Sequence, residues 1–421
     1  MSRIAIIGTG ISGMSAGYFL RKEHDITFFE KNDYAGGHTN TLKVDDEGDQ
    51  ITIDSAFMVY NEVTYPNLTR LFKDLGVKTK VTNMSFSVQH KPSSLEYSGT
   101  GYNGLFAQRR NILKINHVCM LLDINRFNKE SLEVLDNPHF NDYSVDQYVT
   151  EKGYGKNMLY KYLIPMSSAV WSTPIDLMLQ FPITTLVQFF KNHGFLGMTT
   201  QHQWRTVVQG SESYKKKIMD HFKGKVHLNS PIVEIIRKDN QVTIKDDKGA
   251  THQFDKVICA SHADQTLKML TSATDTEKDL LSKFKYQTNK ATLHRDTSIM
   301  PKCKRAWSSW NYRIGHGPEG NLYATTIYHM NKLQHVSKKN DYFVSINDGG
   351  EIDQSKVIWE KNYDHPLFSV EASKAQGRLQ ELNENGQVYF CGAYFKYGFH
   401  EDGLVSGINV AKIILGKGVW S

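Results

Sequence analysis

Three glycines near the start of the chain have the spacing of a phosphate-binding loop. The segment GTGISG (8–13) places Gly8, Gly10 and Gly13 in a G-x-G-x-x-G arrangement. In this arrangement the first glycine makes a tight turn, the second lets a pyrophosphate approach the backbone, and the third lets a helix pack closely on a strand. The N–H groups at the start of such a helix attract a phosphate. The spacing therefore predicts a dinucleotide-binding loop.

The sequence around the glycines contains the elements that such a loop requires. RIAIIG (3–8) is an apolar run typical of a buried parallel strand, and MSAGYFL (14–20) continues as a helix. HDITFFE (24–30) predicts a second strand that ends at Glu30, about twenty residues beyond the glycines, where a carboxylate accepts ribose hydroxyls. A signal peptide fits worse, because the glycines interrupt the apolar core and no cleavage site follows Leu20.

Two consecutive glycines after Glu30 favour a flavin over a nicotinamide dinucleotide. Gly36 and Gly37 stand where the chain must pass the rest of the cofactor. Consecutive glycines expose backbone N–H groups, which suit a pyrophosphate or ribityl contact. The pair by itself is equally typical of an ordinary turn.

The C-terminal segment predicts a second helix end directed at the cofactor. An apolar run at 388–391 predicts a strand that ends at Gly392. Asp402 and Gly403 then precede a predicted helix, whose apolar face includes Leu404. A helix N-terminus beside a flavin stabilises the negative charge of the reduced ring. The alternative is a plain C-terminal helix that closes the domain.

Motifs along nearly the whole chain carry a resemblance to a known family. Three of them are cofactor motifs: IGTGISGMSAGYFL, GGHTNT and CGAYFKYGFHEDGLVSG. With them the chain resembles the flavin-containing amine oxidase superfamily, which includes monoamine oxidases, protoporphyrinogen oxidases and carotenoid desaturases. IDSAFMVYN, IPMSSAVWSTP, FFKNHGFL, AWSSWNY, HMNKLQ and HPLF further resemble a bacterial group of FAD-dependent oxidoreductases. That group is similar to the flavin-binding N-terminal region of plant cyclopropane fatty acid synthases.

The resemblance implies contacts to FAD for the motif residues. They are Gly8, Gly10, Ile11, Ser12 and Gly13 at the pyrophosphate, Glu30 and Lys31 at the adenosine, Gly36, Gly37, His38 and Thr39 along the ribityl–phosphate stretch, Val233 at the adenine, Gly392, Asp402, Gly403 and Leu404 on the far side, and Ala56, Phe57 and Met58 near the ring. The family pattern has Asp-x-Gly in this last segment, whereas here it is Asp54-Ser55-Ala56. The C-terminal motif lacks an attachment cysteine, because Cys391 lies in the predicted strand, so we expect non-covalent FAD.

The cofactor domain is expected to be discontinuous, because its glycine loop and its closing helix lie at opposite ends of the chain. Strand-like runs in the middle, KVHLNSPIVEIIRK, QVTIKDDKG and KVICASHADQTL, add a third piece, with a hairpin turn predicted at Asp246. We predict an α/β fold, amine-oxidase-like, in which 1–82, 209–290 and 385–421 form a Rossmann-like FAD-binding domain. An inserted α+β substrate domain, 83–208 and 291–384, would combine a helical part at about 100–206 with a strand-rich stretch at 291–384. Within the helical part, the sequence predicts a helix that starts at Pro182 and ends at Gly194.

Few side chains are needed for the chemistry, because the flavin ring itself accepts the hydride. The 17 histidines form no H-x-x-x-H or H-E-x-x-H pattern, so no metal is expected. The catalytic candidates are His400, as a proton relay or a structural group, and Tyr60 and Tyr397, as cavity or core residues. Trp171, Trp310 and Tyr312 are candidates for the substrate cavity, and as a set they suit an apolar substrate.

These features favour a flavin enzyme that transfers hydride from a C–H bond of an apolar substrate to N5. A fatty acyl chain, unsaturated or methylated, on a phospholipid is the first candidate, by analogy with the cyclopropane synthase group. Oxidation of a small amine with oxygen is one alternative. A non-catalytic flavin module that scaffolds a lipid-modifying enzyme is another, and a nicotinamide dehydrogenase is disfavoured by the C-terminal helix.

The formal charge of +6 is mild for 421 residues. Basic clusters at 109–110, 215–217 and 301–305 are typical of solvated surface and leave attraction to an anionic phospholipid surface open. Nucleic acid is not expected as a partner, because the chain has no strong basic excess or binding module. The four cysteines are far apart in the sequence, which predicts reduced thiols in a cytoplasmic protein. No apolar run reaches 18 residues, so no membrane span is expected, and peripheral contact with a membrane stays open.

Overall fold

The fold is that of a computed structural model, which describes residues 1–197, 200–316, 322–384 and 386–420. The strands are β1 (Arg3–Ile7), β2 (Asp25–Phe29), β3 (Thr41–Asp46), β4 (Asp49–Asp54), β5 (Tyr60–Asn61), β6 (Thr79–Thr82), β7 (Phe86–His90), β8 (Leu95–Ser98), β9 (Trp204–Val207), β10 (Val226–His227), β11 (Ile232–Lys238), β12 (Gln241–Asp246), β13 (Thr251–Phe254), β14 (Lys256–Cys259), β15 (Lys285–His294), β16 (Trp310–His316), β17 (Leu322–His329), β18 (Phe343–Ile346), β19 (Val357–Leu367) and β20 (Val388–Phe390). The α-helices are α1 (Ile11–Leu20), α2 (Pro66–Asp74), α3 (Gly101–Leu105), α4 (Ile115–Glu130), α5 (Val145–Glu151), α6 (Lys156–Met158), α7 (Ile164–Trp171), α8 (Ile175–Leu179), α9 (Ile183–His193), α10 (Glu212–Met219), α11 (Ala263–Met269), α12 (Asp275–Leu281), α13 (Met330–Leu333), α14 (Val370–Gln376) and α15 (His400–Leu415).

One layer is a five-stranded parallel sheet in the order β10-β2-β1-β14-β20. Its central strand β1 is enclosed on both faces, since Ile4, Ala5 and Ile6 are fully buried, as an apolar parallel strand requires. The strands come from all three segments predicted to form the FAD-binding domain. The predicted boundaries of the two domains themselves stay a prediction.

Helices α1 and α15 pack tightly beside this sheet, although they come from opposite ends of the chain. A Cβ atom at Gly407 would overlap the Ser15 hydroxyl and the Ser12 carbonyl. One at Gly403 would lie 2.8 Å from Ile11 Cγ2. Side chains at these two positions would therefore push the helices apart.

The start of α15 differs from the prediction. The helix begins at His400, so Asp402 and Gly403 lie in its first turn and not before it. The Asp402 carboxylate accepts a hydrogen bond of 3.0 Å from the Phe399 N–H. This bond satisfies a backbone donor at the helix N-terminus and moves the helix start upstream.

A second layer is a seven-stranded sheet in the order β19-β15-β18-β17-β16-β7-β8. All of its neighbouring strands are antiparallel except β16 and β7, which run parallel. The strand-rich stretch predicted at 291–384 contains four of these strands, and β15 crosses its predicted start. Strands β7 and β8 precede the part expected to be helical, and helix α14 lies within the strand-rich stretch.

Local turn signals are confirmed at the end of α9 and at one hairpin. Helix α9 ends at Gly194, which has a φ of +69°, as predicted. The sequence predicts that α9 starts at Pro182. In the structure the helix begins at Ile183, and Pro182 is the N-cap residue before it. The hairpin at Asp246 is confirmed, because its Oδ1 accepts hydrogen bonds from the N–H groups of Lys248 and Ala250.

The four cysteines are free thiols. Cys259 and Cys391 are buried as predicted, and burial raises the pKa of the Cys259 thiol to about 12. Cys119 is exposed, which the sequence did not predict. Within the described ranges, the structure has no helix with the length and apolar character needed to cross a membrane.

Glu401 links the C-terminal helix to α2. Its Oε1 accepts hydrogen bonds from the backbone N and from Nδ2 of Asn67, at 2.9 and 2.8 Å, and its Oε2 accepts one of 2.9 Å from Leu68 N. These N–H groups stand at the N-terminus of α2, whose N-cap residue Tyr65 provides no side-chain cap. Glu401 therefore caps a helix that is distant in sequence.

Replacing Glu401 by alanine is expected to lower the free energy of unfolding by about 1–3 kcal/mol, because buried N–H donors of α2 lose their acceptor. Urea unfolding of the purified protein measures this. Glu371→Ala is the matched control, since Glu371 is an exposed glutamate in the first turn of α14 and should change stability by less than about 0.5 kcal/mol. Equal midpoints for the two variants would contradict the capping role.

Candidate functional site

A cavity of about 780 Å³ is lined by residues from both main sheets. Its size lies within the range of roughly 300–1,000 Å³ that is typical of small-molecule sites. One end, here called the nucleotide end, borders the carboxyl ends of four parallel strands, at Ile7, Phe29, Ala260 and Gly392. Open parallel sheets bind their ligands at this edge.

The three glycines of the loop have different surroundings. Gly8 has a φ of +101°, and a Cβ there would lie 2.7 Å from the Ala260 carbonyl oxygen. A Cβ at Gly13 would overlap the Gly8 carbonyl. Gly10 lines the cavity, and a Cβ there would meet no atom within 4 Å. Gly8 and Gly13 thus serve the close packing of the chain, whereas Gly10 leaves space for a ligand.

Glu30 lines the nucleotide end, and its side chain is held by four hydrogen bonds. Oε2 accepts from the backbone N and Oγ1 of Thr9, at 3.0 and 2.6 Å. Oε1 accepts from the backbone N and Nδ2 of Asn32, at 3.0 and 2.7 Å. Because a carboxylate has about four acceptor positions, a ribose hydroxyl would have to replace one of the side-chain donors. Thr9 and Asn32 were not identified from the sequence.

The segment after Glu30 divides into lining and supporting residues. Gly37 and His38 line the cavity, and a Cβ at Gly37 would lie 3.4 Å from Gly10 Cα. The buried Gly36 donates its N–H to Thr9 Oγ1 at 3.0 Å. The buried Thr39 hydroxyl is 2.5 Å from the Tyr214 hydroxyl. Gly36 and Thr39 therefore hold the loop in place.

His400, the first residue of α15, lines the cavity. Its ring stacks on Phe57, with ring centroids 3.7 Å apart and an angle of 8° between the planes. Its Nε2 hydrogen-bonds the Tyr214 hydroxyl, which continues to Thr39. Burial, and secondarily His38, lower the pKa of His400 to about 3. The imidazole is therefore neutral at physiological pH and can exchange a hydrogen bond with a phenol or a ligand.

Three further histidines line the cavity in the same neutral form. Burial lowers the pKa of His38 and of His262 to about 4, and that of His365 to about 3. The rings of His38 and His365 have their centroids 5.2 Å apart. Among the described lining residues, the acidic and basic side chains other than histidine are Glu30, Lys31, Lys268, Lys361 and Asp364.

Lys31, Lys361 and Asp364 lie with Glu30 at the nucleotide end. Lys361 lies over the Tyr34 ring, 3.9 Å from its centroid, and is close enough to Glu30 and Lys31 to interact with their charges. Burial nevertheless lowers the pKa of Lys361. Asp364 accepts a hydrogen bond of 2.6 Å from the Thr288 hydroxyl. A dinucleotide bound at this end would thus lie near the cationic side chains of Lys31 and Lys361 as well as the carboxylate of Asp364.

The part of the cavity that lies among the hydrophobic clusters around Trp171, Met58 and Trp310, here called the inner chamber, is apolar. Its lining side chains are Ala56, Phe57, Met58, Val59, Met84, Val170, Trp171, Phe189, Phe195, Trp204, Trp310, Tyr328, Leu333, Ile346, Phe368, Tyr397 and Phe399. The Phe189 and Phe399 rings stack with centroids 4.8 Å apart, and Trp171 Nε1 donates to the Tyr397 carbonyl at 3.1 Å. Among the described lining residues, those near the inner chamber with polar side chains are Ser55, Tyr65, Ser172 and His400. None of these four is an acidic or a lysine or arginine side chain.

Several predicted site residues lie outside the cavity lining. Tyr60 is buried against Phe72, and Tyr312 is buried in a cluster with Trp310, so neither side chain lines the cavity. Leu404 is a core residue behind α1.

Asp402 lines a neighbouring cavity of about 580 Å³. Burial raises the pKa of its carboxyl to about 7. Gly403 contacts Ile11 and Ser12 and positions α1.

The remaining predicted residues do line the cavity. They are Ile11, Ser12, Lys31, Ala56, Phe57, Met58, Val233, Gly392, Trp171, Trp310, Tyr397 and His400. Sequence analysis missed the 361–366 segment of β19, although its HPLF motif was noted. It also missed Ser261 and His262, whose signal was their position directly after the buried strand β14.

One known protein family matches most of this chain. The model of the flavin containing amine oxidoreductase family matches residues 11–310. The chain belongs to this family. It is therefore a flavin-dependent oxidoreductase by family, and FAD is its expected cofactor.

Curated relatives match only parts of this chain. An uncharacterised protein of Methanocaldococcus jannaschii is 34% identical over 82 residues, which cover 19% of this chain and 20% of that protein. "Probable flavin-containing monoamine oxidase A" of Dictyostelium discoideum is 22% identical over 276 residues, or 61% of this chain and 56% of that protein. The matches thus span about a fifth and just over half of these relatives.

Solved structures show the same fold over the whole length. Putrescine oxidase bound to putrescine has a TM-score of 0.70 at 12% identity, with 99% of both chains covered. A CLA-producing fatty acid isomerase from P. acnes has a TM-score of 0.67 at 15% identity, with 99% of this chain and 98% of that chain covered. The predicted amine-oxidase-like α/β fold is therefore confirmed.

The residues of the nucleotide end fit FAD. Gly10 leaves an open space at the N-terminus of α1, where a pyrophosphate is favoured. Glu30 stands at the end of β2, where a ribose binds in such sheets. The inner chamber continues from there and offers an apolar, aromatic lining to a flavin ring and a substrate. The buried Cys391 sulfur does not line the cavity.

Gly10→Ala is expected to weaken FAD binding at least about tenfold, or about 1.4 kcal/mol. The new methyl group would enter the space beside the pyrophosphate, and the φ of −62° at Gly10 tolerates alanine without strain. Titration of the FAD-free protein with FAD measures the dissociation constant. Gly418→Ala is the control, because a Cβ there also meets no atom within 4 Å. Unchanged FAD affinity in Gly10→Ala would contradict the assignment.

Stability should fall as the pH drops below about 6.5, because the buried histidines stay neutral in the folded state. The folded pKa of His262, about 4, lies below its unfolded value of about 6.5. Between these values the unfolded chain binds a proton that the folded chain excludes, so stability increases with pH by about 1.4 kcal/mol per unit for such a group.

His262→Gln should make this slope smaller by about that amount between pH 6 and pH 5. Urea unfolding of the FAD-saturated protein at several pH values provides the measurement. The exposed His335 serves as the control position, as His335→Gln should leave the slope unchanged. An identical slope in wild type and His262→Gln would show that His262 does not titrate in this way.

Proposed function

We propose that this flavin-dependent oxidoreductase oxidises a C–H bond of an apolar, lipid-like substrate such as a fatty acyl chain. The observation that carries the proposal is the lining of the inner chamber, which combines aliphatic and aromatic side chains without an ionised group among its described residues. An alkylammonium ion would have to enter this chamber without a carboxylate partner, and burying an unpaired charge is costly. A hydrocarbon chain would instead gain from burial.

The fold by itself allows either substrate class. Among proteins with this fold, one is a putrescine oxidase and another a fatty acid isomerase. The choice therefore depends on the side chains that line the chamber, and here these favour the apolar class.

The nucleotide end supplies binding and orientation. Bound FAD would supply a hydride acceptor at N5 of its ring. The start of α1, with Gly10 and Ser12, would hold the pyrophosphate, and Glu30 would accept a ribose hydroxyl. Val233 at the cavity edge would contact the adenine through its backbone.

The inner chamber supplies a dry, rigid surround for the reacting bond. Trp171 is fixed by its hydrogen bond to the Tyr397 carbonyl, and Phe189 stacks on Phe399. Such side chains exclude water from the reacting carbon and hold the substrate in one orientation.

Loss of a hydride from carbon is accompanied by loss of a proton from a neighbouring atom. The Nε2 of neutral His400, connected to the hydroxyls of Tyr214 and Thr39, is a described polar site near the chamber that can share such a proton. His400 thus serves as a candidate proton relay, and its low pKa makes it a weak base.

Anaerobic reduction of the bound flavin tests the substrate class. We expect absorbance near 450 nm to decrease on addition of unsaturated or methyl-branched acyl lipids and to persist with a panel of small amines. Reduction by amines alone would overturn the lipid assignment. An FAD-loaded protein that neither class reduces would favour the non-catalytic partner of a lipid-modifying enzyme.

Trp310→Leu is expected to lower kcat/KM for the reducing lipid at least about tenfold, because it removes an aromatic surface from the inner chamber. Stopped-flow reduction of the flavin measures this, and flavin content reports on folding. Tyr312→Phe changes a buried residue two positions away that does not line the cavity, so its reduction rate should match wild type. Equal losses in both variants would contradict the placement of substrate against Trp310.

A further inference from the structure

The α3–α4 region exposes an unusual number of large apolar side chains. Six that are more than a third exposed lie within 21 residues, at Tyr102, Ile112, Leu113, Ile115, Val118 and Leu122. The most prominent are Leu113, 88% exposed, and Ile115, 79% exposed. Contiguous apolar surface of this kind marks an interaction site.

Ile115, Val118 and Leu122 point outward because the opposite side of α4 is already packed. His117, Met120 and Phe127 occupy its buried face, and the His117 ring nitrogen Nε2 hydrogen-bonds the Leu105 carbonyl at 3.0 Å. The exposed residues therefore form a second apolar face, which the described part of the chain leaves uncovered.

Cations from two distant segments surround this apolar face. Arg109, Arg110 and Lys114 are exposed beside it. Arg305 donates from Nε to the Ala107 carbonyl at 3.1 Å, which brings the 301–305 basic cluster to the same place. The two clusters were separate in the sequence analysis.

The exposed charged side chains of the two clusters all carry positive charge. None of the six exposed cations, which are Arg109, Arg110, Lys114, Lys302, Lys304 and Arg305, takes part in an ion pair among the described residues. No acidic residue occurs between Glu96 and Asp123. The buried Glu96 carboxylate is occupied by the N–H groups of Lys302 and Cys303, which anchor the second cluster.

We propose that this surface, the docking face, binds an anionic phospholipid bilayer. Leu113, Ile115 and Tyr102 would enter the boundary between headgroups and acyl chains, and the surrounding cations would contact the anionic headgroups. Apolar insertion combined with basic residues provides the two signals that stable, reversible membrane binding requires. The proposal rests on this surface and does not depend on which substrate the cavity takes.

The charge also argues against a second copy of the chain on this face. In a two-fold symmetric dimer the same surface patch meets itself, so the cations of both copies would face each other. An anionic surface instead complements them.

Vesicle binding by the FAD-loaded full chain tests the proposal. We expect at least tenfold stronger partition onto vesicles of phosphatidylcholine with phosphatidylglycerol than onto phosphatidylcholine alone, decreasing with salt. Soluble glycerophosphoglycerol should not compete, which separates a bilayer from an isolated phosphate headgroup. Equal partition onto both vesicles, or full competition by the soluble headgroup, would overturn the proposal.

Two sets of variants separate the apolar and the basic contributions. Leu113→Ser with Ile115→Ser should lower partition onto both kinds of vesicle at least tenfold. Arg109→Gln with Arg110→Gln should lower partition onto anionic vesicles by roughly 25-fold, at roughly fivefold per cation. The controls are Ile413→Ser, also an exposed apolar side chain, and Lys216→Gln with Lys223→Gln, two exposed cations on other surfaces. If the docking-face variants lose no more vesicle partition than the control variants do, the proposal is overturned.

Two further measurements distinguish other occupants of the face. The variant Leu113→Trp adds one tryptophan, whose fluorescence is the difference between the variant and the wild type. Brominated lipids should quench this added fluorescence if the side chain at 113 enters the bilayer, and absence of quenching contradicts insertion. Sedimentation should show the wild type as a monomer without vesicles. A dimer that Leu113→Ser dissociates would assign the face to a second copy instead.

Discussion

The close contact between helices α1 and α15 is the constraint on which the rest of the structure depends. Glycine at 403 and 407 lets the last helix approach the first, because a side chain at 407 would overlap Ser15 and the Ser12 carbonyl. The contact joins the two ends of the chain beside one parallel sheet. It also fixes the N-terminus of α1, where Gly10 opens onto the cavity.

Burial then determines the chemistry of the cavity. It lowers the pKa values of His38, His262, His365 and His400, so these rings line the cavity as neutral groups. The ionised residues remain at the nucleotide end, where a dinucleotide carries charge, and the inner chamber is left to apolar contacts. One cavity thus combines a polar cofactor end with an apolar substrate end, as expected of an enzyme whose cofactor performs the electron transfer. The docking face is formed by other residues, on α3, α4 and the 301–305 segment.

Local sequence signals predicted those features that depend on neighbouring residues. The strand–glycine–helix–strand order that ends at Glu30, the end of α9 at Gly194 and the hairpin at Asp246 follow from backbone preferences within a few positions. Periodicity could not separate a core aromatic from a cavity residue. Tyr60 and Tyr312 therefore had the right character for the cavity, although both are buried elsewhere.

The sequence by itself determined the cofactor loop, the α/β class and the family resemblance, because these depend on glycine spacing and on apolar runs along the chain. Only the tertiary structure decided which side chains meet. It stacked His400 on Phe57, brought the 361–366 segment of β19 to the nucleotide end, and merged the basic clusters at 109–110 and 301–305. The physical reason is that these contacts join residues up to hundreds of positions apart. Strand order and helix packing bring them together, and no local preference of the backbone encodes that arrangement.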